Sequence, residues 1–178
     1  MRRITLVVLL LFLFANHSVQ ADDGETSLNL PDLQWDKDVN IGYISTAPLV
    51  TQGLVIVKGG GSNSDGIDPT IVAYRADNGS EVWRATHSTS TYNFEISPLV
   101  YVPAGTLPCS PTQDMIVTGW TSGQLTAHDL VDGTPLWNVS TPAPLWGITA
   151  QGLSIEDRII WPTETGIIDV CAVNGTMQ

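Results

Sequence analysis

A short segment that occurs three times constrains the fold of this chain more than any other feature. Each copy begins with Asn-Gly or Asp-Gly between apolar stretches, a pattern that predicts a tight β-hairpin turn with positive φ at both central residues. The first two copies end on a tryptophan, and the third stops one residue before that position: Asn78-Gly79-Ser80-Glu81-Val82-Trp83, Asp132-Gly133-Thr134-Pro135-Leu136-Trp137 and Asn174-Gly175-Thr176-Met177-Gln178. Repetition of one hairpin unit predicts an array of blades that bury one another's faces.

The spacing of the tryptophans defines the length of one unit. Trp35 stands where the tryptophan of a preceding unit would stand, and the next two follow it by 48 and 54 residues, at Trp83 and Trp137. A four-stranded propeller blade takes roughly 40–50 residues. We therefore predict an all-β fold, a partial β-propeller of about three four-stranded antiparallel blades. Their expected units are residues 35–83, 84–137 and 138–178.

The residues around each turn carry a family resemblance. Ala127, Asp129, Gly133 and Trp137 stand in register with the pattern Ala-x-Asp-x-x-Thr-Gly-x-x-x-Trp. In this the chain resembles the quinoprotein-type (PQQ-like) β-propeller repeat family, over about residues 35–178. The other two units depart from the pattern at its Ala or Asp positions: Arg75, Asp169 and Cys171. The same repeat builds dehydrogenases, scaffolds and sensors, so the resemblance implies the fold and leaves the activity open.

The resemblance also implies a structural role for the repeated residues. Trp35, Trp83 and Trp137 are expected to dock between blades, each indole N–H bonding to a backbone carbonyl of the neighbouring blade. The turns themselves need glycine: Gly79, Gly133 and Gly175. The alternative, a row of indoles that stacks on a sugar or a cofactor, is disfavoured by their fixed place after each hairpin. Trp146 lies outside that place, in a proline-rich loop, and is our candidate for a recognition surface.

The start of the chain predicts export. Met1-Arg2-Arg3, an apolar run from Ile4 to Phe14 and the ending Val19-Gln20-Ala21 form a signal peptide over residues 1–21, cleaved after Ala21. The apolar run is short for a membrane span, which needs about 20 residues, so a retained anchor is the weaker alternative. Residues 22–34 form an acidic lead-in. We expect a secreted, periplasmic or extracellular protein that leaves the membrane after cleavage.

The charge of the chain excludes one class of partner. The formal net charge is −11, and loss of Arg2 and Arg3 with the leader makes it −13, with 18 acidic and five basic side chains. A surface this acidic repels nucleic acid and anionic lipid. We therefore expect a protein partner or the remaining blades of a propeller, and no nucleic acid.

Two further features are candidate sites. Cys109 and Cys171 could form a disulfide between neighbouring blades in an oxidising compartment, or remain free thiols. Asn63, Asp65 and Asp68 could supply oxygen ligands to calcium. A flexible glycine-serine-acid loop is the favoured interpretation of that segment, because the spacing is not that of an EF-hand and no glutamate completes a shell.

The sequence shows no catalytic constellation. His128 and Asp129 are neighbours on a predicted strand and point to opposite faces, so they do not cooperate directly. The chain has no Gly-x-Ser-x-Gly nucleophile elbow. The sequence leaves open whether the chain is an enzyme, and it favours a non-catalytic protein.

Two functions remain. The first is an exported, non-catalytic binding or assembly scaffold, for which we expect no cofactor. The alternative is the N-terminal fragment of a pyrroloquinoline-quinone (PQQ)-dependent alcohol or sugar dehydrogenase, the one case that implies PQQ and calcium. Because propellers typically close with 4–8 blades, three blades predict a truncated member of a longer protein, or a short form that closes its ring by association.

Overall fold

A computed structural model describes residues 35–44, 46–61, 66–87, 95–141 and 147–178, all within one compact unit, Leu33–Gln178. The predicted leader and acidic lead-in lie outside the described residues, as do Asn63, Asp65 and Trp146. Within those ranges no helix has the length and apolarity needed to cross a bilayer.

Strands make up the regular structure of the described chain. The first sheet contains β1 (Leu49–Thr51), β2 (Leu54–Gly59), β3 (Thr70–Arg75) and β4 (Glu81–Thr86). The second contains β5 (Val100–Val102), β6 (Met115–Gly119), β7 (Gln124–Asp129) and β8 (Pro135–Ser140). The third contains β9 (Leu153–Ile155), β10 (Arg158–Thr163) and β11 (Gly166–Cys171). Each sheet is antiparallel with its strands in chain order, which confirms the predicted all-β class.

The third sheet differs from the other two at its outer edge. It has three strands, and an isolated bridge joins Val170 to Met177. On the first sheet the equivalent pair is Tyr74 and Glu81, where β4 begins. Residues 176–178 therefore lie where a fourth strand starts.

The turn geometry corrects one prediction. Of each Asn-Gly or Asp-Gly pair only the glycine has positive φ, at +68°, +74° and +71°: Gly79, Gly133 and Gly175. The connection is longer than a two-residue hairpin, because Arg75 N–H donates to Ser80 O and Gly79 N–H donates to Arg75 O. Asn78 instead uses its side-chain oxygen, which accepts from Ser80 N–H. An Asx-type bond of this kind suits Asn and Asp without positive φ.

The core consists of three apolar layers, because adjacent residues of a strand point to opposite faces of its sheet. Val57 and Tyr74 pack with Ile41, Ile56 and its neighbours pack against the second sheet, and the second sheet packs against the third. The innermost strands β1, β5 and β9 contact in series. The sheets thus stand side by side around these first strands, as blades of a partial propeller.

Candidate functional site

Each of the three repeat tryptophans bonds to the next sheet. The indole Nε1 of Trp83, on the first sheet, donates to Leu130 O on the second at 2.9 Å. The other two make the same bond at 3.0 and 2.9 Å: Trp35 to Ala76 O, and Trp137 to Ala172 O. A buried indole N–H without an acceptor would be costly, so this bond fixes where the ring docks.

The turn glycines give the rings their space. A Cβ added to Gly133 would lie 2.5 Å from the ring of Trp83. At the other two turns the corresponding distance to the ring is 2.7 Å: Gly79 beneath Trp35, and Gly175 beneath Trp137. Glycine is therefore needed at each turn both for its positive φ and for the close approach of the indole.

A buried ion pair lies between the first two sheets. Lys58, at the end of β2, is fully buried, and its Nζ donates to Gly119 O at 2.6 Å, Ser97 O at 3.1 Å and Thr118 Oγ1 at 3.1 Å. The carboxylate of Glu95, also fully buried, lies 3.7 Å from that nitrogen. Three acceptors thus match the three N–H groups of the ammonium.

The remaining contacts of this cluster extend into the second sheet. Glu95 accepts from Thr121 Oγ1 at 2.7 Å and from Thr121 N–H at 3.1 Å. The Lys58 nitrogen lies 4.2 Å from the ring centroid of Trp120, whose Nε1 donates to Thr126 Oγ1 at 2.8 Å. A cation over an indole face adds attraction that grows as water is excluded.

Burial governs the protonation of Lys58. Loss of solvation lowers the pKa of its amine from 10.5 to about 7, although Glu95 acts in the opposite direction. The amine is buried away from solvent and donates to protein oxygens, so its role is structural: it links the two sheets. We assign it no contact with a dissolved substrate.

A cavity of about 360 Å³ opens beside this cluster, between β4 and the strands β7 and β8. His87 stacks on Trp120 in its wall, with the ring centroids 4.2 Å apart and the planes 12° apart. His128 is buried in the same wall, with Nδ1 3.1 Å from Gly133 O and Nε2 3.2 Å from Thr126 Oγ1. The Nδ1 atom is therefore assigned as the protonated one, since a carbonyl only accepts.

Both imidazoles are neutral near pH 7. Burial, followed by the positive charge of Lys58, lowers the pKa of His87 from 6.5 to about 4. Burial also lowers the pKa of His128. The described residues that line the cavity include no Asp, Glu, Lys or Arg. The wall thus offers uncharged hydrogen-bonding groups in a chain whose net charge is −11.

The lowered pKa of His87 predicts sensitivity to acid. Because the folded pKa of about 4 lies below the unfolded 6.5, the unfolded chain binds the proton first as the pH falls. The contribution of the neutral His87 imidazole to the free energy of unfolding is complete above pH 6.5 and is lost as the pH falls towards 4. We expect the free energy of unfolding of the wild type to fall by about 2 kcal/mol relative to His87→Gln across this interval, since part of the ring meets solvent.

Urea unfolding at pH 7, 5.5 and 4 measures that difference. The His87→Gln variant serves as its own reference because all other titrating groups are shared. An identical pH profile for the two proteins would contradict the lowered pKa of His87.

The other predicted sites are placed as follows. His128 and Asp129 lie on opposite faces of β7, and Asp129 accepts from Val131 N–H instead of orienting the imidazole. Asp68 is exposed, and its backbone oxygen accepts from Thr70 Oγ1. No group of three or more His, Cys, Asp or Glu that could hold a metal occurs among the described residues.

A disulfide joins Cys109 to Cys171. It ties the insertion between β5 and β6 to the end of β11. Two hydrogen bonds reinforce this link. Cys109 N–H donates to the side-chain oxygen Oδ2 of Asp157 at 2.9 Å, and Val173 N–H donates to the backbone oxygen of Cys109 at 2.8 Å. The bridge therefore connects the second sheet to the third.

Lys58 and Glu95 were not singled out from the sequence. One signal was available: Lys58 is the one charged residue of β2, within Leu54-Val55-Ile56-Val57-Lys58-Gly59. A lysine in a strand whose sequence is apolar on both faces is expected to be buried, and a buried amine needs hydrogen-bond acceptors beside it. Glu95 carries no comparable signal, since it lies in a segment without regular structure.

Comparison with known proteins identifies the family. The family profile described as outer membrane protein assembly factor BamB matches residues 32–175. The chain belongs to this family of PQQ-like propeller repeats. The match covers every sheet and all three docking tryptophans, so the predicted family is confirmed.

Solved structures show the same fold. BamB from Moraxella catarrhalis has a TM-score of 0.55 at 17% identity, over 76% of this chain and 37% of that one. A europium-containing methanol dehydrogenase has a TM-score of 0.55 at 16% identity, over 77% and 25%. The quinohemoprotein alcohol dehydrogenase from Comamonas testosteroni has 0.53 at 17% identity, over 77% and 20%. The chain thus spans between 20% and 37% of the length of these proteins. No curated protein sequence matches it.

Proposed function

We propose that this family member is an exported, non-catalytic scaffold that offers its propeller surface to a protein partner. The observation that carries the proposal is that the buried polar groups between the first two sheets form hydrogen bonds with protein atoms on both sheets. The Lys58 amine donates hydrogen bonds to Ser97, Thr118 and Gly119, and the Glu95 carboxylate accepts two hydrogen bonds from Thr121. These contacts make the sheets rigid, which suits a protein that presents a surface.

The family supports a protein partner. The profile that matches residues 32–175 is described as an assembly factor for outer membrane proteins. The leader predicted over residues 1–21 supports export to the compartment where such a factor acts. The formal charge of −11 favours partners with basic or neutral surfaces.

A PQQ-dependent dehydrogenase fragment is the second candidate, because the fold resembles a methanol dehydrogenase as closely as it resembles BamB, at a TM-score of 0.55 in both cases. The described residues do not fit the group that this activity needs. They bring together no group of three or more His, Cys, Asp or Glu that could hold a metal ion, and therefore no cluster of carboxylates of the kind that binds calcium. The resemblance to quinoprotein dehydrogenases implies a ring formed by adjacent cysteines over the quinone, whereas the two cysteines of this chain are 62 residues apart and pair with each other.

Thermal unfolding with PQQ and calcium chloride separates the two candidates. A ligand that binds the folded state at 100 times its Kd adds about 2.7 kcal/mol to stability, which raises the melting temperature by several degrees. We expect no shift from PQQ with calcium, and no dye-linked oxidation of alcohols or sugars. A quinoprotein dehydrogenase treated in parallel controls the reagents. A shift that EDTA reverses would favour the dehydrogenase and contradict the scaffold.

A further inference from the structure

The cavity between the first two sheets has a row of polar side chains in its wall. Gln124, Thr126 and His128 alternate along β7 and therefore share one face of the second sheet. Asn138 lies directly opposite Thr126 on β8 and points to the same side. All four residues line the cavity of about 360 Å³. One face of this sheet thus presents four uncharged hydrogen-bonding side chains to an enclosed space.

The other two sheets show that the repeat does not need this polarity. Alignment on the strand pairs beside the docking tryptophans, and on the bridge at the third turn, gives the equivalents of Thr126 and His128. On the first and third sheets these positions are apolar or aromatic and pack in or against the core layers: Val72 and Tyr74, and Ile168 and Val170. The polar pair is therefore a property of the second sheet and not a requirement of the repeat.

Part of the polar wall is bonded within the protein, and part of it is open. Trp120 Nε1 donates to Thr126 Oγ1, whose hydroxyl donates to His128 Nε2, and His128 Nδ1–H donates to Gly133 O. This chain of bonds holds the wall in one arrangement. Asn138 differs, because its side chain is exposed and forms no hydrogen bond with another described residue. Its amide offers two donors and an acceptor to a molecule in the cavity.

The chemistry of the lining selects a class of ligand. The described part of the lining has no Asp, Glu, Lys or Arg to pair with a charge, and burying an unpaired charge is costly. Ala85, Pro135 and Leu136 add apolar surface beside the polar row. A carbohydrate matches both features, because its hydroxyls donate and accept while its C–H groups pack on apolar side chains. The volume lies at the lower end of the roughly 300–1,000 Å³ of small-molecule sites.

We propose that this cavity binds an uncharged sugar of about monosaccharide size. The Asn138 amide bonds to hydroxyl groups of the sugar, and the hydrogen-bond chain from Trp120 to His128 keeps the wall in place. A free sugar and one residue of a longer glycan share this chemistry, and the experiment distinguishes them. The proposal goes beyond the scaffold function and does not depend on it, so failure of either leaves the other standing.

NMR of the full chain with ¹⁵N-labelled histidine tests binding, because His87 and His128 both lie in the cavity wall. The probes are glucose, N-acetylglucosamine and glucuronate at pH 7. We expect at least one of the two neutral sugars to shift both imidazole signals in a saturable titration. Glucuronate differs from glucose by one carboxylate and is expected to bind at least tenfold more weakly. No shift with either neutral sugar, or equal affinity for glucose and glucuronate, would overturn the proposal.

Substitutions taken from the repeat test where the sugar binds. The double variant Thr126→Val, His128→Tyr gives the second sheet the residues that the first sheet has at these positions. We expect it to weaken binding of the better neutral sugar at least tenfold, with the His87 signal as the readout. A linked trimer of N-acetylglucosamine, titrated into the wild type, identifies the source. Tighter binding of the trimer than of the monomer indicates a residue of a glycan, and equal binding indicates a free sugar.

A surface variant keeps the test decisive if the double variant does not fold, since Thr126→Val removes the acceptor of Trp120 Nε1. Asn138→Leu changes an exposed side chain and removes the open amide, so we expect wild-type melting and at least tenfold weaker binding. Thr112→Leu is the control, because Thr112 is also exposed and polar but lies in the insertion between β5 and β6, outside the described lining. Undiminished binding by folded Asn138→Leu, or equal weakening by Thr112→Leu, would overturn the proposal.

Discussion

Replacing Trp83 with alanine is expected to lower the free energy of unfolding by about 3–5 kcal/mol, the usual cost of truncating a large buried aromatic. Trp83 is 7% exposed, packs in the apolar layer between the first and second sheets, and donates to Leu130 O at 2.9 Å. Its removal leaves a cavity over Gly133 and a buried carbonyl without its donor. Urea unfolding measures the change. It is followed by far-UV circular dichroism of the backbone and not by tryptophan fluorescence, because the substitution itself removes a tryptophan.

The neighbouring Val82 supplies the control. It lies on the same strand, one residue earlier, and is 43% exposed. Val82→Ala removes methyl groups from a surface position, so the expected loss is below about 1 kcal/mol. Equal losses for the two variants would mean that Trp83 does not connect the sheets.

The fold could be predicted from the sequence because its strongest signals are local. The glycine turn and the tryptophan four residues later lie in one short segment, as in Gly79 to Trp83. Their repetition sets the blade length without any knowledge of distant contacts. The turn conformation was predicted less well, because the Asx-type bond at Asn78 depends on a loop longer than two residues.

The buried Lys58–Glu95 pair and its hydrogen bonds could not be predicted in the same way. Lys58 draws its acceptors from Ser97, 39 residues away, and from Gly119, 61 residues away. Those partners converge through the packing of two sheets, which the pattern within either sheet does not specify. The same holds for the exposed apolar residues of the third sheet, such as Leu153 and Ile167: their exposure depends on what lies beside the sheet, which the pattern within the sheet does not specify.

Replacing Lys58 with methionine is expected to cost about 3–5 kcal/mol in the free energy of unfolding, because it leaves the buried carboxylate of Glu95 without its cation. Both side chains are 0% exposed and their charged atoms lie 3.7 Å apart. The three oxygens that accept from Lys58 would also lose their donor. Chemical unfolding at pH 7 measures the loss.

A double-mutant cycle with Glu95→Gln separates charge from packing. Glutamine keeps one oxygen that can accept from Thr121 N–H, and its NH2 group can donate to the Thr121 hydroxyl, but it carries no charge. The double variant Lys58→Met, Glu95→Gln is therefore expected to recover about half of the loss. A coupling energy of about 1–3 kcal/mol between the two positions would follow, since residues in one buried network do not act additively. Additive losses would show that Lys58 stabilises the sheets through its bonds to Ser97, Thr118 and Gly119 alone. The ion pair would then be a by-product of packing and would not join the sheets.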